Sequence, residues 1–185
     1  MRDDVSAPLS HIEDRVPHGL TGPWQIGTLF HVFSRYPRRP EAVRIDRLVS
    51  VLRHGLIPPA LAPQGRVISD LRLQVTGCSR PYDSFVFLHE FGDDSALYLP
   101  RTPDTICCFV DRSVPIIRPQ ALQPNWVVLC RDEIYVDRVI SPQQLIGIAV
   151  APQVAQAVCE ELEPEFRRLA LPLYDFSGRV YWLPK

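Results

Sequence analysis

The chain has 185 residues, 46% of them hydrophobic and 22% charged, which suits one globular domain rather than a disordered chain. Lysine plus arginine number 20 against 21 aspartates and glutamates, a net charge of −1, so there is no broad basic field to hold duplex nucleic acid. No apolar run approaches the ~18 residues of a membrane-spanning helix.

The N-terminal stretch is polar and acidic, MRDDVSAPLSHIEDR, which predicts no signal peptide and a cytoplasmic protein. Residues 1–25 read as an irregular arm, and 26–185 as one domain. The five cysteines contain no CxxC, and the five histidines make no zinc spacing, so reduced thiols and no metal are expected. The 19 prolines predict short elements and stiff loops.

IGTLFHVF (26–33) is an apolar run rich in β-formers and reads as a buried strand. SRYPRRP (34–40) is a basic loop. Residues 41–54 read as a helix, with Ile45, Leu48, Val49 and Leu52 on one stripe. Gly55 is its expected left-handed stop, and Pro58-Pro59 prevents continuation. Residues 66–75 fit a strand or a short helix. Strands are expected at 84–91, 105–110, 126–130 and 145–150, with 133–136 continuing the fourth or forming its own. In FLHEF, alternation turns one of His89 and Glu90 outward. A helix is expected over 152–169, bent or split at Pro164. Two short strands around Ser177-Gly178 follow. This order predicts an α+β fold, not a doubly wound sheet.

No P-loop, GxGxxG, HExxH or GxSxG is present. The candidate chemistry is dispersed: His31 in TLFHVFS, the RLVSVLRHGLIPP helix and turn, Tyr98 in SALYLP, and Glu133 opening DEIYVDRVISPQQLIGIAV. In that order these segments resemble the ADP-ribosyltransferase superfamily over about residues 27–151. Within it they are most similar to the DarT-like DNA-modifying toxins, whose segments are echoed by SALYL and DEIYV.

The resemblance implies a split mixed or antiparallel sheet with flanking helices. It implies NAD as substrate and transfer of ADP-ribose to a macromolecular acceptor, nucleic acid or protein, by a toxin or effector, with a neutralising antitoxin or immunity protein as a further partner. Glu133 would be the catalytic carboxylate beside the ribose. His31 would bind a ribose hydroxyl as a donor, Tyr98 would stack on nicotinamide, and the main chain at Val32 and Ser34 would hold the carboxamide. Asp132 competes with Glu133, and Tyr82 with Tyr98. Arg35, Arg80 and Arg101 all compete for a further site arginine. The superfamily's usual H-G-[TS] reads here His31-Val32-Phe33-Ser34. That departure favours the alternative, a non-catalytic module of the same fold. In plain structural terms, His31 is a hydrogen-bonded core histidine, Glu133 a strand-edge carboxylate and Tyr98 a packing residue.

Overall fold

The computed structural model describes residues 27–33, 42–61, 84–91, 106–118 and 133–185. Residues 1–25, the basic loop, and the stretches at 66–75 and 126–130 lie outside them. So do Ser34, Tyr98, Tyr82, Asp132, Arg35, Arg80 and Arg101.

Seven strands make one sheet: β1 Leu29–Phe33, β2 Val86–Glu90, β3 Ile106–Val110, β4 Glu133–Val136, β5 Leu145–Val150, β6 Leu173–Asp175 and β7 Val180–Trp182. Their order is β4-β2-β1-β3-β5-β6-β7. Every pairing is antiparallel except β5 with β6. That parallel crossover is supplied by helix α2, Pro152–Leu169. Helix α1, Ala42–His54, connects β1 toward β2. The fold is α+β, with a mixed sheet.

The sheet has two unlike faces. One is aliphatic: Leu29, Leu88, Val110, Ile134, Ile148 and Val150 pack there with Leu48 and Leu52 of α1 and Val158, Leu162 and Phe166 of α2. Strict alternation along each strand turns the intervening residues to the other face. There the side chains are largely aromatic, with Phe30, Phe109 and Tyr174 buried together and Phe91 and Phe176 packed against them. On the same side, the Phe87 and Tyr135 rings meet edge to face at 5.0 Å, and these residues are paired across β2 and β4.

Helix α1 ends as its sequence dictates. Gly55 has a φ of 81°, and its N–H donates to the Val51 carbonyl at 2.8 Å. The next residue, Leu56, exchanges two backbone hydrogen bonds with Ile140, both 2.9 Å. A Cβ on Gly55 would lie 2.0 Å from the Ile140 oxygen, so the turn excludes any side chain there. The Arg168 guanidinium donates to the Leu52 carbonyl at 2.7 Å and ties α2 to the end of α1.

Helix α2 runs unbroken through Pro164, so of the bend or split expected there the split does not occur. Pro164 lies on the exposed side, away from Val158, Leu162 and Phe166. The Glu160 carbonyl that loses its partner therefore faces water.

Candidate functional site

Of the candidate residues described, His31 and Val32 lie on β1 inside the sheet and Glu133 on its edge strand β4, with the β1–β2 pair between them determining their arrangement. Its registered rungs are Leu29↔Glu90 and Phe30↔His89. The Phe91 N–H donates to the Thr28 carbonyl at 2.7 Å, which sets the ladder's parity. Positions 28, 30 and 32 of β1 turn their N–H and C=O groups toward β2, and positions 29, 31 and 33 turn theirs toward β3. Continued by parity, the ladder would next join Val32 to Phe87, but the register stops at Phe30. Instead, His31 Nδ1 lies 2.7 Å from the Phe87 oxygen. β1 and β2 part at this point, and the His31 imidazole sits in the split.

This contact fixes the chemistry of His31. A carbonyl oxygen only accepts, so Nδ1 carries the proton and donates, and in the neutral ring Nε2 is an acceptor. Burial lowers the His31 pKa to about 4; the bond to Phe87 opposes this, and His89 and Arg47 add to it. The ring is therefore neutral near pH 7. In this tautomer a hydroxyl meeting Nε2 has to donate to it.

Glu133 opens β4 as expected. Its partner across the sheet is His89, whose partner on β1 is Phe30. Position 133 thus shares a cross-strand row with His89 and Phe30. His31 belongs to the alternate row and is registered with Cys108. β2 lies between the strands that carry His31 and Glu133.

His89 and Glu90 divide as alternation requires, and both have surroundings of their own. The His89 ring packs on Phe30 with centroids 5.5 Å apart. Glu90 accepts from Arg118 at 2.8 Å. Arg118 follows Ile117, which bridges to Tyr135 of β4 by hydrogen bonds of 2.7 and 2.9 Å. Arg118 therefore runs alongside β4 and reaches past it to β2. Arg112 lies over Gly27: a Cβ there would stand 2.8 Å from the Arg112 Nη2 and 3.6 Å from Glu90 Oε1. Two arginines and a glutamate thus gather at the end of the sheet beside position 133.

Two of the cysteines are built into the core. Cys107 and Cys108 are fully buried, and burial raises both thiols well above their ordinary range, which suppresses the thiolate needed for nucleophilic work. Among the described residues no group of three or more histidine, cysteine, aspartate or glutamate side chains is arranged to hold a metal ion. No helix among them is long and apolar enough to cross a membrane.

No known family matches the chain as a whole, and no curated protein matches it in sequence. A solved structure does match in fold: Thermosipho africanus DarTG in complex with ADP-ribose, at 12% identity and a TM-score of 0.50. The likeness covers 83% of this chain and 52% of that one, so this chain spans about half of its length. The fold is ADP-ribosyltransferase-like. At this identity the likeness concerns the fold alone.

Proposed function

We propose that this protein is an NAD-dependent ADP-ribosyltransferase acting on a macromolecular acceptor. The observation that carries the reading is the parting of β1 and β2 at His31 within an ADP-ribosyltransferase-like sheet. Parity turns the Val32 N–H and C=O toward β2 just past the last registered rung, the geometry in which a main chain receives a carboxamide's acceptor and donor together. The DarTG structure was solved with ADP-ribose, which is the group such a reaction moves.

In this mechanism NAD is the substrate. The bond between nicotinamide and ribose C1′ breaks, and its electron pair leaves with nicotinamide. Positive charge then develops on the ribose, and Glu133 stabilises it through its carboxylate. An acceptor oxygen or nitrogen bonds to C1′ and gives up its proton to water. His31 accepts from a ribose hydroxyl through Nε2. Val32 and Ser34 hold the carboxamide through their main chain, and Tyr98 stacks on nicotinamide. The acceptor is a nucleic acid or a protein, and a neutralising antitoxin is a further partner in a toxin setting.

One observation favours the alternative, a non-catalytic module of this fold. Position 133 shares its row with His89 and Phe30 rather than with His31. Calorimetry separates the two readings at the binding step. The catalytic reading expects NAD to bind below millimolar concentration and His31→Ala to weaken that binding at least about tenfold, near 1.4 kcal/mol. Absence of binding by the parent at millimolar NAD favours the module.

A further inference from the structure

We propose that Arg118 is a positioning residue: its ion pair with Glu90 clamps the segment covering the outer edge of β4, and so holds the main chain at position 133. The inference rests on the role given to Glu133 above. β4 is an outermost strand of the sheet and pairs inward with β2. The open side of an edge strand frays unless something ties it down. The chain that follows β3 supplies the tie. It turns at Asp111, whose carboxylate accepts from the Ser113 N–H at 2.7 Å. Val114 then enters the aliphatic core, and Ile116 packs against that core. Ile117 exchanges two hydrogen bonds with Tyr135, of 2.7 and 2.9 Å.

Those bonds lie on the outer side of β4, two residues from position 133. Alternate residues of an antiparallel strand turn their N–H and C=O the same way. The main chain at position 133 therefore also faces away from β2, and among the described residues the tie to Ile117 is what fixes the start of β4 from outside. Arg118 closes the clamp. Its guanidinium reaches across β4 and donates to Glu90 Oε2 at 2.8 Å. Glu90 follows His89, the residue registered with position 133, so the ion pair straddles β4 close to that position. The bond is charge-assisted, but the two side chains are 50% and 32% exposed, which limits its contribution to stability. Placement of a catalytic group is far more sensitive, since ~1 Å of error can cost ~100-fold in rate. The clamp therefore acts on turnover more than on stability.

The test compares Arg118→Gln, Glu90→Gln and their double variant with the parent in nicotinamide release from NAD. Each single variant is expected to lower kcat about three- to tenfold, well short of the ~100-fold for a full ångström of misplacement. NAD affinity should stay within about twofold of the parent, since the clamp acts on the reacting geometry and not on binding. The double variant should be no slower than the slower single variant, because both changes remove one bond. Arg118→Lys, which keeps the charge and a donor, should recover kcat to within about twofold.

A second readout needs no NAD. The Tyr135 amide donates to Ile117, so its hydrogen exchange reports whether the segment is attached. Exchange should be about two- to fivefold faster in Arg118→Gln, the scale of one part-exposed ion pair. Exchange at the parental rate in that variant, or kcat losses that multiply in the double variant, overturns the clamp. Faster exchange with unchanged kcat overturns the positioning role alone. A parent that leaves NAD intact overturns the proposed function, and the positioning role with it.

Discussion

Gly55 and His31 each show one residue type fitted to one backbone demand. At Gly55 a positive φ and the Ile140 carbonyl act together, since an added Cβ would stand 2.0 Å from that oxygen. Gly55→Ala should therefore cost at least ~2 kcal/mol, more than conformational freedom alone. Urea denaturation of the two proteins measures it, and a change under ~0.5 kcal/mol would remove Gly55 as the point where α1 is joined to Ile140. The glycine was legible in the sequence, because it follows an apolar stripe and precedes Pro58-Pro59. Its contact with Ile140 was not, because that partner lies far along the chain.

His31 makes a prediction with a definite sign. Its pKa is lowered to about 4 in the folded chain, against an unfolded value of ~6.5. Between these values the unfolded chain binds the proton and the folded chain does not. Stability is therefore highest above pH ~6.5, falls as the pH drops toward 4, and levels off below it. The loss attributable to this ring is up to about 3 kcal/mol. His31→Gln should flatten that part of a stability-against-pH curve measured by urea titration. An unchanged slope in the variant would show that the ring is not held neutral.

At the scale of the element, α2 closes with a Schellman turn that lacks its usual glycine. The Ala170 N–H donates to Arg167, the Leu171 N–H donates to Phe166 at 3.0 Å, and Ala170 takes a φ of 50°. Ala170→Gly should therefore stabilise the protein, by about 0.5–1 kcal/mol, through relief of left-handed strain. A lowered melting temperature in the variant would contradict this. The helices and the β3 and β5 strands were legible because each carries its own period or an unbroken apolar run. Of the bend or split expected at Pro164, the split did not materialise, since a proline on a solvent-facing turn leaves its orphan carbonyl to water. The sequence contains the proline but not the side of the helix that packs.

At the scale of the whole molecule, the sheet separates its chemistry by face. Aliphatic side chains of one face bind α1 and α2, while on the aromatic face the Phe30 and His89 rings pack together, in the cross-strand row that the backbone of position 133 continues. His31 stood out in the sequence as a polar residue in an apolar strand, and Glu133 as the carboxylate opening one. His89 did not, because alternation within FLHEF leaves the inner face undecided. Long-range register decides it, by setting His89 against both Phe30 and Glu133. The same register moved the row of position 133 away from His31, which no local pattern could have shown.

The central claim is that this ADP-ribosyltransferase-like sheet cleaves NAD with Glu133 facing the developing ribose cation. Nicotinamide release from NAD, measured with the purified parent and Glu133→Gln, tests it most directly. The account predicts release by the parent and a drop of about 10²–10³-fold in kcat in the variant, the usual scale for losing an electrostatic stabiliser, with NAD affinity nearly unchanged. Equal turnover by the two proteins, or no release by a parent that binds NAD, would contradict it.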